Sequence, residues 1–494
     1  MAQYVLAIDQ GTTGTTGMLI DRELKVTGRG YREFPQIFPK PGWVEHDPED
    51  IWASTIAVIS ETIESAGVSA DEIACIGITN QRETTTLWDR STGKPVHNSI
   101  VWQCRRTAPL CEELRERGHE SLFRVRTGLV LDAYFSGTKV RWLLDNVEGV
   151  RARAEAGELA FGTIDTLLIW RLTGGESHVT DASNACRTLM MDLESVDWSD
   201  ELLATLDIPR SLLPKICGNS EVLGVTKGVP GLPDGIPISG VAGDQQAALF
   251  GQTCFEAGQA KCTYGTGAFL LLNTGNLVVR STSGLLSSVG WKLDGKVTYV
   301  LEGSVFIAGA AVQWLRDGLG LLASAPESET LAASVADSGG VVFVPALTGM
   351  GAPHWDMDAR GTITGIDRGT TRAHLARATL EGIAHQANDV FEAMASDLGR
   401  PFESVRVDGG ACQNNLMMQF QADLLGAPIV RPQMVETTAL GAAMLAGLAV
   451  DLWSGLDEIR QVWREDRRFE PDMQASEVDA KRTLWKKAVE RARM

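Results

Sequence analysis

A chain of 494 residues with 44% hydrophobic content is long enough for two to four globular domains with filled cores. Its 45 Lys+Arg against 63 Asp+Glu give a formal net charge of -18, and with no basic patch this excludes nucleic acid and anionic membrane surfaces as partners. Cys75, Cys104, Cys111, Cys186, Cys217, Cys254, Cys262 and Cys412 stand apart, with no CxxC pair and no His cluster at zinc spacing, so buried free thiols in a reducing compartment are expected.

The first predicted element is the apolar run Leu6-Ala7-Ile8, which stops at Asp9, crosses a Gly/Thr stretch and resumes at Met18-Leu19-Ile20: strand, tight turn, strand. Its glycines permit a sharp turn and a close ligand approach, its threonine hydroxyls and freed N–H groups can bond an anion, and Asp9 at a strand edge suits a hydrated divalent cation. It is not a P-loop, which needs a lysine and a following helix. Read alone, the stretch fits a phosphate loop and an ordinary Gly/Thr hairpin equally. No basic region precedes this run and Asp9 interrupts it, so no secretory signal is read and a cytoplasmic protein is expected.

A Pro-punctuated loop from Gln36 to Pro48 leads into a helix with Ile51, Trp52, Ile56 and Ile59 on its apolar positions, and His46 reads as a loop or capping residue. Ile73 to Thr79 reads as a buried strand that runs into Asn80-Gln81-Arg82-Glu83-Thr84, a polar edge suited to binding. Thr85 to Trp88 and Ser99 to Cys104 read as further strands, with Trp102 either in the core or lining a pocket. Arg151 to Glu158 reads as a polar helix, Leu159 to Leu172 leads to a Thr173-Gly174-Gly175 loop, and the Pro/Gly-rich span 208–237 as a long surface excursion.

Ile236 to Ala248 repeats the opening logic, with the carboxylate of Asp244 between a glycine turn and an apolar helix start. Ala260 to Leu272 is then a second strand, Gly/Thr turn, strand. The echo predicts two α/β domains of related topology, 1–250 and 251–494, each presenting a hairpin to a shared cleft. Ala308 to Leu319 reads as a helix, Gly340 to Pro345 as a buried strand, and Ala373 to Leu398 as a helix with Leu380, Ile383, Ala387, Val390 and Met394 at helical spacing. Val405-Arg406-Val407 runs into Asp408-Gly409-Gly410 and a helix start, which is either a bed for a nucleotide or a plain strand-to-helix turn. Ala439 to Val450 is too short to span a bilayer, which takes roughly twenty apolar residues, and reads as a closely packed buried helix.

In this order the motifs resemble the FGGY carbohydrate kinases of the actin, Hsp70 and hexokinase superfamily, over about residues 4 to 450. The shared strings are DQGTT from Asp9, GDQQAALFGQ from Gly243, YGTG from Tyr264, the stretch Gly361 to Gly382, and DGG from Asp408. PKPGWVEHDP from Pro39, GITNQRETT from Gly77, VWQCRRT from Val101 and YFSGTK from Tyr134 resemble the members that phosphorylate glycerol. The resemblance implies two ribonuclease-H-like domains flanking a deep cleft, and transfer of the ATP γ-phosphoryl group to a terminal hydroxyl of glycerol. On matching positions it implies that Arg82, Glu83, Tyr134 and Asp244 bond the polyol with Gln245 nearby, while Trp102 and Phe269 pack on its carbons. Asp244 would be the general base, and Asp9 and Asp244 would hold Mg2+. Thr12, Thr13, Gly14 and Thr266 would cradle phosphates; Gly309, Gln313, Gly410 and Asn414 would hold the nucleoside. The implied ligands are glycerol, ATP and Mg2+, with no nucleic acid and no membrane insertion, and the implied assembly is a dimer or tetramer. The competing readings are a related kinase for another polyol or ketose, and an ATP-gated interaction protein with no use for Arg82, Glu83 and Asp244.

The sequence departs from the family pattern in three places. Many members continue DQGTT with Ser-Ser-Arg, whose arginine reaches the phosphates; Gly14-Thr15-Thr16 stands here, which is expected to weaken ATP handling. Ala133 replaces a proline that often precedes the tyrosine of YFSGTK. The loop Lys227 to Gly235 lacks the Gly-x-Arg with which some members bind fructose 1,6-bisphosphate, so no inhibition by that effector is expected.

Overall fold

The computed structural model describes residues 3–494. The strand Tyr4–Gln10 pairs antiparallel with Gly14–Ile20, setting Asp9 opposite Thr16 and Gln10 opposite Thr15. Only Gly11, Thr12 and Thr13 remain for the turn, which closes as the Gly11 N–H donates to the Gly14 carbonyl at 2.9 Å. Both strands are longer than the apolar residues alone mark out, because small residues, Thr with its short side chain and Gly with none, fit on a buried sheet.

Six strands form the first sheet, in the order Ser220–Val225, Pro237–Gly243, Ile73–Asn80, Tyr4–Gln10, Gly14–Ile20, Val26–Glu33. The second, third and fourth run parallel, and their side chains are buried on both faces, as near-continuous apolar strands require. Their register aligns Gln10 with Asn80 and Asn80 with Gly243, so all three end along one edge. Carboxyl ends of parallel strands are where open α/β sheets receive ligands.

The second sheet has seven strands, in the order Leu286–Leu293, Lys296–Val305, Ala268–Gly275, Ala260–Tyr264, Val405–Asp408, Ile429–Pro432, Glu465–Phe469. Ala260–Tyr264 pairs antiparallel with its hairpin mate and parallel with Val405–Asp408, as Tyr4–Gln10 does with Gly14–Ile20 and Ile73–Asn80. The echo read between residues 6–20 and 260–272 is therefore topological. The helix Arg372–Leu398 lays Leu380, Ile383, Ala387, Val390 and Met394 into the core beside this sheet.

One helix crosses between the two sheets. Thr437–Ala449 follows strands of the second sheet but packs against Ile73–Asn80, Pro237–Gly243 and the helix Asp244–Gly251 of the first. The approach is so close that a Cβ on Gly441 would lie 1.8 Å from the Ala247 carbonyl oxygen. Being covered on both sides, it is apolar all round.

Several elements differ from expectation. Only Ser99 and Ile100 form the strand foreseen to Cys104; the Cys104 N–H then donates to the Val101 carbonyl at 2.9 Å, and this turn lifts Trp102 out of the sheet. The helix at Ala308 is Gly309–Gln313 followed by a wider π turn, Trp314–Gly318. Leu159–Gly162 is a strand and Ile164–Leu172 a helix, and the Pro/Gly-rich excursion carries the strands Lys215–Cys217 and Ser220–Val225. All eight cysteines are buried and free. Among the described residues no helix is long and apolar enough to cross a membrane.

Candidate active site

At the common edge of the first sheet the Gln81 N–H donates to the Gln10 carbonyl at 2.7 Å, tying two strand ends together. The chain then reverses at Glu83, whose φ of 61° is uncommon for a residue with a side chain. Ser136 Oγ holds the reversal by donating to the Glu83 carbonyl at 2.8 Å. Arg82 and Glu83 are left only 3% and 1% exposed. Asp244 starts the helix Asp244–Gly251 at the end of the neighbouring strand, and its Oδ1 accepts from Arg82 Nε at 2.9 Å and from the Gln245 N–H at 2.7 Å. A third of its side chain, 33%, stays open to the cleft.

An aromatic wall stands beside these charges. The Trp102 indole donates to Thr12 Oγ1 at 2.9 Å and meets the Tyr134 ring edge-on at 5.5 Å, so the wall is latched to the first Gly/Thr turn. Tyr134 is fixed by its backbone: Asp132 accepts its N–H at 2.8 Å, and the buried Lys139 Nζ donates to the carbonyls of Ala133, Tyr134 and Phe135 at 2.6, 2.6 and 3.0 Å. Phe269, half-buried, comes from the second sheet. Gln245 Oε1 accepts from Lys261 Nζ, which also donates to Thr263 at 2.7 Å.

The charges form one buried network. Arg82 gives Nη1 and Nη2 to the two oxygens of Glu302 at 2.7 and 2.9 Å, and Arg187 reaches Glu302 at 3.2 Å and Glu83 at 2.7 Å. Burial alone would raise the Glu302 carboxyl, but Arg187 and Arg82 outweigh it and bring it down to about 2. Glu83 ends above the ordinary carboxylate range, because its burial exceeds what the same two arginines return. Burial lowers Lys261, with Asp408 opposing, and takes Lys139 down to about 8. Asp9, at the end of Tyr4–Gln10, is pushed up to about 7 by burial and then by the charges of Asp244 and Glu436. Crowded, desolvated carboxylate oxygens of this kind suit a hard divalent cation that keeps part of its water.

Across the cleft, Thr263 lies beside Asp408, so the Gly265–Gly267 turn and the Gly409-Gly410 turn share an edge of the second sheet. Gly309 abuts the first of these, its N–H donating to the Gly265 carbonyl at 2.9 Å. Gly409 has a φ of 82° and packs on Tyr264, where a Cβ would meet the Tyr264 carbonyl oxygen at 2.6 Å, while nothing lies within 4 Å of a Cβ on Gly410. Thr13 and Thr266 are exposed at the tips of their turns, and Gln313 is exposed one helical turn beyond Gly309. Asn414 gives its side-chain oxygen to the Met417 N–H at 2.9 Å as a helix cap, while its amide nitrogen donates to Ser328 Oγ at 3.4 Å. Gly14 is buried against Arg32 and Tyr31, and its part is to close the opening turn. The helix begun by Asp244 ends near Gln252, whose Nε2 donates to Asp408 Oδ2 at 2.9 Å; Thr437 Oγ1 donates to the same oxygen.

The structure brings Arg82, Glu83, Trp102, Tyr134, Asp244 and Gln245 together and adds Arg187, Glu302, Lys261 and Lys139, to which the motifs gave no role. Lys139 alone had a local signal, as the last residue of YFSGTK.

Two lobes, each offering a Gly/Thr turn at the carboxyl edge of a sheet, with a carboxylate and an aromatic wall in the cleft, define a two-lobed kinase of small molecules. The chain belongs to the FGGY family of carbohydrate kinases, whose N-terminal domain matches residues 4–251 and whose C-terminal domain matches residues 260–450. It is 58% identical to glycerol kinase 2 of Thermotoga maritima over 99% of both chains. It is also 58% identical to the glycerol kinase of Myxococcus xanthus, again over 99% of each. Among solved structures, the glycerol kinase of Plasmodium falciparum with ADP superposes with a TM-score of 0.94 at 39% identity, covering 99% of this chain and 98% of that one.

Proposed function

We propose that this chain transfers the γ-phosphoryl group of ATP to one terminal hydroxyl of glycerol, giving sn-glycerol 3-phosphate. The observation that carries the reading is Asp244, a carboxylate one-third open to the cleft and anchored by Arg82 beside an aromatic wall, in a chain that matches glycerol kinases over 99% of its length. A three-carbon triol needs several placed polar groups and an apolar side for its carbons. Arg82, Glu83, Tyr134 and Asp244 supply the first, with Gln245 beside them, and Trp102 and Phe269 supply the second. Asp244 takes the proton as the hydroxyl oxygen attacks the γ-phosphorus and the bond to the β-phosphate oxygen breaks, releasing ADP.

Thr12, Thr13 and Thr266 hold the phosphates between the lobes, with Gly14 closing the turn that presents the first two, and Gly309, Gln313, Gly410 and Asn414 hold the nucleoside. Asp9 and Asp244 hold Mg2+, which when bound neutralises phosphate charge. The lobes are 1–250 and 251–494, and the enzyme works in the cytoplasm as a dimer or tetramer. The test is ADP release from ATP and Mg2+ with glycerol, dihydroxyacetone, erythritol and xylulose in turn. Glycerol should lead in kcat/KM by about tenfold or more; a preference for xylulose, or ADP release independent of any polyol, overturns the reading.

A further inference from the structure

We infer that Glu302 is a positioning residue for phosphoryl transfer, acting through Arg82 and Arg187 on the two carboxylates that face the polyol. The inference rests on the functional reading above. Glu302 lies on Lys296–Val305 of the second sheet and is fully buried, yet its partners belong to the first lobe. Its two oxygens take both terminal nitrogens of Arg82, and one of them also accepts from Arg187. Each guanidinium is thereby divided. Arg82 keeps Nε for Asp244 at 2.9 Å, and Arg187 keeps Nε for Glu83 at 2.7 Å.

A two-point Arg–carboxylate pair fixes the plane of the guanidinium, so Glu302 decides which single nitrogen Arg82 can offer Asp244. Without that charge Arg82 is free to turn its fork onto Asp244 and occupy the oxygen that the hydroxyl needs. Arg187, losing the same anchor, closes on Glu83. Both changes compete with substrate hydroxyls for carboxylate oxygens. Neither touches the turns at Gly265, Gly309 and Gly410.

The strand placement makes this an interlobe device. Lys296–Val305 pairs with Ala268–Gly275, with Phe269 opposite Ser304 and Leu271 opposite Glu302. Alternation along paired strands puts Phe269 and Glu302 on the same face of this ribbon. The apolar wall and the anchor of the charged wall are therefore carried by one rigid piece of the second lobe, and the polyol pocket is complete only when that piece is seated.

The experiment compares Glu302→Gln and Glu302→Asp with the parent enzyme in steady-state kinetics, varying glycerol and ATP separately, with ADP binding by calorimetry. Losing a charged hydrogen-bonded anchor should raise the glycerol KM of Glu302→Gln about 10- to 100-fold and lower kcat, with ATP KM and ADP affinity within about twofold. Glu302→Asp, which keeps the charge on a shorter stem, should recover part of the loss and serves as the folded test should the Gln variant not fold. A glycerol KM of Glu302→Gln within about threefold of the parent, a Glu302→Asp variant no better than Glu302→Gln (or, where the Gln variant does not fold, one equal to the parent), or polyol and nucleotide parameters falling in equal proportion, overturns the inference. Should the parent enzyme ignore glycerol but use another polyol, the substrate assignment fails alone, and the same comparison on that polyol decides the role of Glu302.

Discussion

Asp244→Asn isolates proton acceptance from geometry. The asparagine oxygen can still accept from Arg82 Nε and from the Gln245 N–H, and Arg82 stays anchored on Glu302, so the pocket keeps its shape. What is lost is the carboxylate charge: an amide cannot take the hydroxyl proton and is a weaker partner for Mg2+, so kcat is read at saturating Mg2+. A positioned general base contributes about 100- to 10,000-fold, so kcat should fall by that factor, about 2.7–5.5 kcal/mol of barrier. Glycerol-dependent ADP release gives kcat, and calorimetric titration with ADP should give an affinity within about threefold of the parent. A kcat within tenfold of the parent, or parallel loss of ADP binding, would refute the assignment of Asp244 as the base.

Gly441→Ala should lower the thermal midpoint: a contact at 1.8 Å must open by about 1.5 Å, and such overpacking costs about 1–3 kcal/mol or more, above the roughly 1 kcal/mol that alanine gains over glycine in a helix. A higher midpoint in calorimetry would mean that the helices yield freely. Thr16→Arg would place a cation across from Asp9 on the paired strand; it should lower the ATP KM about fivefold or more, and an unchanged KM would show that the missing arginine has no cost. His385 is buried on the Trp485 ring and held down to about 3 by that burial, helped by Lys481 and Arg482. Between about 6.5 and 3 the unfolded chain binds the proton that the folded one refuses, so this residue costs stability as pH falls, about 2 kcal/mol by pH 5. Urea unfolding of the parent and His385→Asn should diverge accordingly between pH 7.5 and 5, and parallel curves would refute it. Finally, fructose 1,6-bisphosphate should not inhibit, because Lys227 is paired with Glu176 and Asp234 accepts the Gly228 N–H at 2.7 Å; inhibition at millimolar effector would contradict this.

What was legible in the sequence was local. Gly/Thr turns between apolar runs announced both hairpins, near-continuous apolar strands announced the parallel layers, and the spacing from Leu380 to Met394 announced its helix. The polar run after Thr79 announced Arg82 and Glu83 because a buried strand cannot continue through five polar residues. The rest was set by pairs far apart in the chain. Glu302 stands 220 residues from Arg82 and looks like any acidic residue on a strand. Arg187 sits in no periodic pattern and takes its role from Glu83, 104 residues earlier. The Gly/Ala-rich run announced a buried helix at Thr437–Ala449, but an apolar surface all round says nothing about which sheet it covers.

The short helix from Asp244 to Gly251 has a mechanical consequence. Its first residue, Asp244, is open to the cleft, and the residue after its last, Gln252, is bonded to the aspartate preceding the Gly409-Gly410 turn. Eight helical residues span about 12 Å, and an α-helix does not stretch. The helix is a strut that fixes the separation between Asp244 and Asp408, and so sets how far apart the ends of their two strands stand across the cleft.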